Sequence, residues 1–175
     1  MLFKVEEEYF GGAVKVISSP VFPDERGIFS VTYLEDEMRQ LGLPPLVRDN
    51  FSRSAKDVLR GLHYQVSPPM GKLMRVTRGR AFMVAVDIRV SSPTFGQWHE
   101  MVLSEKDNLQ IWAPAEFARG FCALENDVDV QYKCSAHFNQ AEDRVVRWDS
   151  FGIKWPIAEP ILSERDRTAT SKIFT

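Results

Sequence analysis

Apolar and polar positions alternate with a period of two along most of this chain, and that pattern predicts strands. Runs rich in β-branched and aromatic residues cover Val14–Ile17, Ile28–Leu34, Met74–Thr77, Ala81–Val90, Gln97–Leu103, Asn108–Ala113, Gly120–Leu124 and Val128–Ser135. Between them lie turn-forming clusters: Ser19-Pro20, Pro23–Gly27, Ser67–Gly71, Arg78–Arg80, Ser91–Gly96 and Glu125–Asp127. Many short strands punctuated by turns at near-regular spacing point to an all-β sandwich or barrel. Helical periodicity is scarce. Leu34, Met38 and Leu41 fall at i, i+4 and i+7, with Gly42 and Pro44 as a stop, and predict one short helix. A second is predicted near Ser163, with Glu164 and Asp166 in its first turn. Neither a repeat nor a linker interrupts the chain, so one domain over 1–175 is the simplest organisation.

Alternation also says where particular side chains point. Over Val128–Cys134, residues Val128, Val130, Tyr132 and Cys134 share one face and Asp129, Gln131 and Lys133 the other, so Tyr132 faces inward with the apolar set. Lys72 lies on the same face as Met74 and Val76. Either its long stem carries the ammonium out at the strand end, or an internal site has a use for a cation. The segment Val58–Gln65 concentrates a cation (Arg60), a glycine (Gly61), a titratable base (His63), a phenol (Tyr64) and an amide (Gln65). Histidine is the natural general base near neutral pH. Strict alternation puts Arg60 and His63 on opposite faces, so the two can serve one pocket only if Gly61 makes a bulge or bend.

Composition narrows the function classes. The 22 basic and 24 acidic residues leave a formal net charge of -2, which argues against a nucleic-acid binder while leaving room for a local basic pocket. Cys122 and Cys134 form no C-x-x-C pair and lie in apolar runs, as buried free thiols of a reducing compartment would. The first residues carry three consecutive glutamates and lack the apolar stretch of a secretory signal. No apolar run reaches the length of a membrane span. A cytoplasmic location is expected.

Four further segments complete the picture: Gly71–Trp98, the Pro-Ala-Glu-Phe-Ala-Arg-Gly-Phe stretch at 114–121, the tyrosine strand, and Trp155–Asp166 with its Ser-Glu-Arg-Asp ending. In this order, after Val58–Gln65, they resemble the dTDP-4-dehydrorhamnose 3,5-epimerase family over about Val14 to Asp166. The resemblance implies a cupin-type double-stranded β-helix, a jelly-roll barrel with short peripheral helices, assembled as a homodimer. It implies a nucleotide-diphosphate sugar as substrate, most simply a dTDP-linked 4-keto-6-deoxyhexose, with no metal and no cofactor. The ketone at C4 acidifies the hydrogens on C3 and C5, so inversion needs a base, a stabiliser for the enolate oxygen and an acid across the ring. By resemblance His63 is the base, Asp166 the carboxylate paired with it, Lys72 the cation beside the oxygen and Tyr132 the acid. Arg60, Arg48, Arg119, Phe138, Glu142 and Arg165 fall at substrate-binding positions, and Arg26 at that of an arginine lent by the partner subunit to the nucleotide.

Four positions depart from the family pattern. Arg119 stands where the family reads histidine, Val31 where it reads glutamate, Arg48 where it reads glutamine, and Arg165 where it reads lysine. Losing an acid and gaining Arg48 and Arg119 is expected to make the pocket edge more positive. Three readings stay open beside the double epimerase: inversion at one carbon only, a 4-keto sugar isomerase, and a silent nucleotide-sugar binding module. A metal-dependent cupin oxygenase fits poorly, because His63, His99 and His137 are the only histidines and no H-x-H pair exists.

Overall fold

Two sheets face each other, and their alternating side chains explain the apolar runs. The computed structural model describes residues 1–173, so the last two positions of the expected 1–175 domain lie outside the described residues. In chain order the strands are β1 (Lys4–Tyr9), β2 (Val14–Ser18), β3 (Val21–Asp24), β4 (Gly27–Ser30), β5 (Arg48–Ser54), β6 (Leu59–Gln65), β7 (Lys72–Arg78), β8 (Arg80–Asp87), β9 (Trp98–Ser104), β10 (Leu109–Ala113), β11 (Phe117–Ala123), β12 (Val128–Cys134) and β13 (Asp143–Val145). Helix α1 (Glu35–Gln40) follows β4, and α2 (Glu164–Arg167) lies near the end. One sheet runs β1-β2-β10-β7-β12-β5 and the other β13-β6-β11-β8-β9, while β3 and β4 form a separate hairpin. Every named strand pair is antiparallel.

The predicted strands are present, with shifted ends. Ile28–Leu34 shortens to Gly27–Ser30, and Ala81–Val90 ends at Asp87. There the carboxylate of Asp87 turns the chain by accepting hydrogen bonds from Arg89, Ser92 and Thr94. The long apolar run of β8 has a simple cause: both its faces are covered. Ala81, Met83 and Ala85 point between the sheets, where they meet Met74, Val76, Phe117, Phe121 and Val130. Phe82, Val84 and Val86 point outward, beneath a C-terminal cover that includes Trp148, Ile153 and Trp155. On the opposite outer face, α1 inserts Met38 against Ile17, Leu73 and Trp112. Each such buried side chain contributes roughly 1.5–3 kcal/mol relative to exposure. The interior apolar cluster plugs part of the barrel, and the remainder is the pocket described next. This is the all-β barrel that the strand pattern predicts and the cupin-type jelly roll with short peripheral helices that the family resemblance implies. Cys122 and Cys134 are both free and buried.

Candidate active site

A pocket enclosing about 550 Å3 of empty space, its open mouth included, lies between the sheets. Its lining includes Arg60 and His63 from β6, Lys72 from β7, Arg119 from β11, and Ser52 and Tyr132 from β5 and β12. Five residues singled out in the sequence therefore converge on one cavity.

A bulge in β6 brings Arg60 and His63 to the same side. His63 pairs with Arg119 and Arg60 with Phe121, so Gly61 and Leu62 together oppose the single residue Gly120. Gly61 sits at φ +129°, where side chains are rarely tolerated. A Cβ at Gly61 would lie 2.6 Å from Cα of Gly120 and 2.8 Å from the carbonyl oxygen of Arg119, both backbone atoms that cannot swing aside. Gly61→Ala is therefore expected to cost about 3 kcal/mol or more. That lowers the melting temperature by roughly 6–12 °C for a chain of this size, measurable by thermal unfolding. A variant melting within a degree or two of the parent would show that the bulge is not required. Beyond the bulge, Arg60 is steadied by Nε donating to Oγ of Ser54 at 3.0 Å.

His63 and Asp166 meet although 103 residues separate them. Ile161 accepts from the backbone N–H of Leu59 and donates to Asp57, which straps the C-terminal segment alongside the start of β6. Ser163 then caps α2, its Oγ accepting from the backbone N–H of Asp166 at 3.1 Å and donating to Oδ2 of the same residue at 2.8 Å. Oδ1 is left for Nε2 of His63, at 2.6 Å. Burial opposes ionisation of Asp166, but hydrogen bonds from His63 and Ser163 and the nearby charge outweigh it and hold the carboxyl below its usual value. An ionised carboxylate on one ring nitrogen fixes the imidazole's orientation and stabilises its protonated form.

Lys72 and Tyr132 come from adjacent strands. Lys72 pairs with Cys134, which puts Tyr132 at the diagonal position on the same face. Nζ of Lys72 stands 4.9 Å from the centre of the Tyr132 ring. Lys72 thus faces the cavity rather than escaping to solvent. Burial first, then repulsion from Arg119, lowers its pKa to about 8. Burial also raises the Tyr132 phenol above its usual range, with Cys134 adding to the effect, so the hydroxyl keeps its proton at neutral pH.

Arg119 corrects one expectation. It is not at the pocket edge but buried, 3% exposed, between the two sheets. Arg48, Phe138, Glu142, Arg165 and Arg26 are not among the lining residues, although Arg48 lies near enough to act on Lys72 and Tyr132. Arg48 sits 5.3 Å over the ring of Phe138, which is half exposed. Glu142 pairs with Arg144, and Arg165 with Asp143. Arg26 extends from the β3–β4 hairpin, paired with Asp24. Val31 packs in the apolar cluster around α1. Ser52, in contrast, lines the pocket without having been picked out: a lone serine in a polar run carries no sequence signal. Among the described residues, no three His, Cys, Asp or Glu side chains gather as a metal cage.

Comparison with known proteins places this geometry in a family. Residues 12–172 match the family described as dTDP-4-dehydrorhamnose 3,5-epimerase. A protein of that name from Sinorhizobium fredii is 42% identical over 178 residues, covering 96% of this chain and 91% of the relative. This chain also spans 48% of a longer relative of the same name from Neisseria gonorrhoeae, 42% identical. The crystal structure of the Bacillus anthracis dTDP-4-dehydrorhamnose 3,5-epimerase, with TDP and PPi bound, superposes with a TM-score of 0.92 at 37% identity, covering 95% of this chain and 98% of that one. The Legionella pneumophila dTDP-6-deoxy-D-glucose-3,5-epimerase, in complex with dTDP-4-keto-L-rhamnose, gives 0.91 at 38% identity, covering 96% and 92%. A match over nearly the whole length, on a barrel that gathers a histidine–aspartate pair, a lysine and a tyrosine around one cavity, means that this chain belongs to the dTDP-4-dehydrorhamnose 3,5-epimerase family.

Proposed function

We propose that this protein epimerises a dTDP-linked 4-keto-6-deoxyhexose at C3, C5 or both, with His63 as base, Tyr132 as acid, Lys72 as stabiliser of the enolate oxygen and Asp166 as the group that orients His63. The observation that carries this assignment is the convergence of His63, Lys72 and Tyr132 on one cavity with Asp166 behind the imidazole. Asp166 occupies Nε2, so Nδ1 of His63 takes the proton from the carbon next to the ketone. The C–H electron pair becomes the C=C bond of an enolate, and the carbonyl π pair moves to oxygen beside Lys72. Tyr132 then delivers a proton to the opposite face of the same carbon, and the ketone re-forms. The imidazolium releases its proton to water and the phenolate takes one back, so the net change is inversion alone. Each proton-transfer group contributes roughly 10²–10⁴-fold.

Incubation with a dTDP-4-keto-6-deoxyhexose in D2O tests this reading. Deuterium together with inverted configuration at C3 and C5, followed by NMR, marks a double epimerase, and the same at one carbon marks a single one. Binding without exchange, or migration of the carbonyl, would replace the epimerase by a silent binder or an isomerase.

The Lys72 pKa sets a pH dependence. Below about 8 the side chain carries the charge that the enolate oxygen needs, and above it that charge is lost. We expect kcat/KM, which reports the free enzyme, to fall about tenfold per pH unit on an alkaline limb starting near pH 8. In Lys72→Arg this limb should disappear from the measurable range, because a guanidinium stays charged. A parent profile flat to pH 10 would remove Lys72 from this role.

The same reading includes a homodimer in a cytoplasmic setting, with Arg26 reaching the partner's nucleotide. In support, the hairpin that bears Arg26 exposes Phe22, Ile28 and Phe29, at 47%, 65% and 66%. Sedimentation at twice the chain mass, reverting toward a single chain in Phe29→Asp, is the expected result; a parent protein that sediments as one chain would remove the dimer.

A further inference from the structure

The guanidinium of Arg119 is only half satisfied. Nη1 donates to three backbone carbonyls, of Met70 at 2.8 Å, Pro114 at 3.1 Å and Ala113 at 3.3 Å. Nε and Nη2 are buried and have no partner among the described residues. A buried N–H of a charged group left without an acceptor is costly, and such groups are normally paired. The three carbonyls fix where the free edge points. Arg119 starts on β11, opposite His63, and crosses to β10, where Ala113 is the register partner of Lys72. Its planar head therefore lies beside the root of Lys72, and both side chains line the same pocket. Neither cation forms an ion pair among the described residues: the carboxylate felt by both, Asp143, is paired with Arg165 through Nη1.

With Arg60, which is held by the Ser54 hydroxyl and no carboxylate, the cavity gathers three cations and suits negative charge. The ketone and hydroxyls of a bound sugar are neutral, whereas the enolate oxygen is not. We infer that Arg119 is a second catalytic cation of this enzyme, donating from Nε and Nη2 to the C4 oxygen of the substrate and sharing with Lys72 the charge that develops there. Preorganised donors aimed at developing charge in a water-poor site are the strongest form of such stabilisation. The inference rests on the epimerase reading and adds a residue to it. Arg119 holds its charge while Lys72 loses its own, since burial lowers the guanidinium only to about 10. Besides Arg119, Cys134, Asp143 and Arg48 act on Lys72 electrostatically, and Tyr132, His63 and Arg60 share its pocket.

The test compares Arg119→Gln and Arg119→Lys with the parent protein. In Arg119→Gln, kcat is expected to fall about 10²-fold with KM nearly unchanged, and the alkaline limb of kcat/KM to move to higher pH as Lys72 loses a repelling neighbour. Arg119→Lys should recover part of kcat. A rise in KM at constant kcat would make Arg119 a ground-state binding residue, and a fall in kcat with an unmoved limb would make it a structural clamp on the three carbonyls; either overturns the inference. Should Arg119→Gln not fold, the unaltered protein still decides. Its slowly exchanging Arg119 Nε–H resonance should move downfield when the dTDP-4-keto-6-deoxyhexose is added, and an unmoved resonance in a protein that turns the sugar over excludes the contact. A parent protein without turnover defeats the epimerase reading itself, a separate result.

Discussion

His63→Gln is expected to slow deuterium uptake at the sugar carbons by about 10³–10⁴-fold, or about 4–5.5 kcal/mol in the barrier, with binding of thymidine diphosphate within about twofold of the parent. The amide is preferred to alanine for a physical reason. Asp166 is almost wholly buried and gives Oδ1 to Nε2 of His63 at 2.6 Å. Alanine would strand that carboxylate, at a cost of about 1–3 kcal/mol or more, and mix a folding defect into the kinetics. Glutamine extends its amide to about the place of Nε2 and can donate to Oδ1, but offers no nitrogen able to accept a proton near neutral pH. Nucleotide binding should survive, because Arg26, Arg48, Arg60 and Arg165, the arginines at substrate-binding positions, are all left unchanged. Exchange within tenfold of the parent in a folded variant would mean that some other group removes the proton, and the mechanism proposed above would have to be abandoned.

Legibility in the sequence followed the physics of each residue. Lys72 and Tyr132 could be placed because the register is regular over Lys72–Val76 and Val130–Cys134, so a polar side chain on the apolar face is conspicuous. Gly61 was legible as a requirement: Arg60 and His63 could not share a cavity without a bulge, and the bulge is there. Strands β1 and β5 gave no signal. Their sequences, Lys-Val-Glu-Glu-Glu-Tyr and Arg-Asp-Asn-Phe-Ser-Arg-Ser, lie at the two edges of the six-stranded sheet, with many exposed positions. Charged edges deter unwanted pairing, and they also erase the strand pattern. Asp166 and Arg119 mark the other limit. The contact between Asp166 and His63 spans 103 residues and depends on the Ile161 strap, which no local pattern announces. That Arg119 lies buried rather than at the rim follows from three backbone carbonyls of two distant segments, visible only once the sheets are assembled.

Tyr132→Phe is expected to separate the two halves of the reaction. The variant keeps the ring over which Nζ of Lys72 sits at 4.9 Å, so the cation's setting is preserved and only the hydroxyl is lost. His63 can still remove the proton, exchange it with solvent and return it to the face it came from. Deuterium should therefore enter the sugar at a rate within about tenfold of the parent, while inversion falls by roughly 10²–10⁴-fold. NMR reads both at once: the C3 and C5 proton signals fade while the coupling constants of the starting sugar persist. A single base shuttling protons on both faces predicts parallel losses of exchange and inversion, or none of either. Equal effects on the two rates would thus put the acid elsewhere. The phenol's raised pKa strengthens the contrast, since a hydroxyl kept protonated by burial acts as a donor over the whole neutral range.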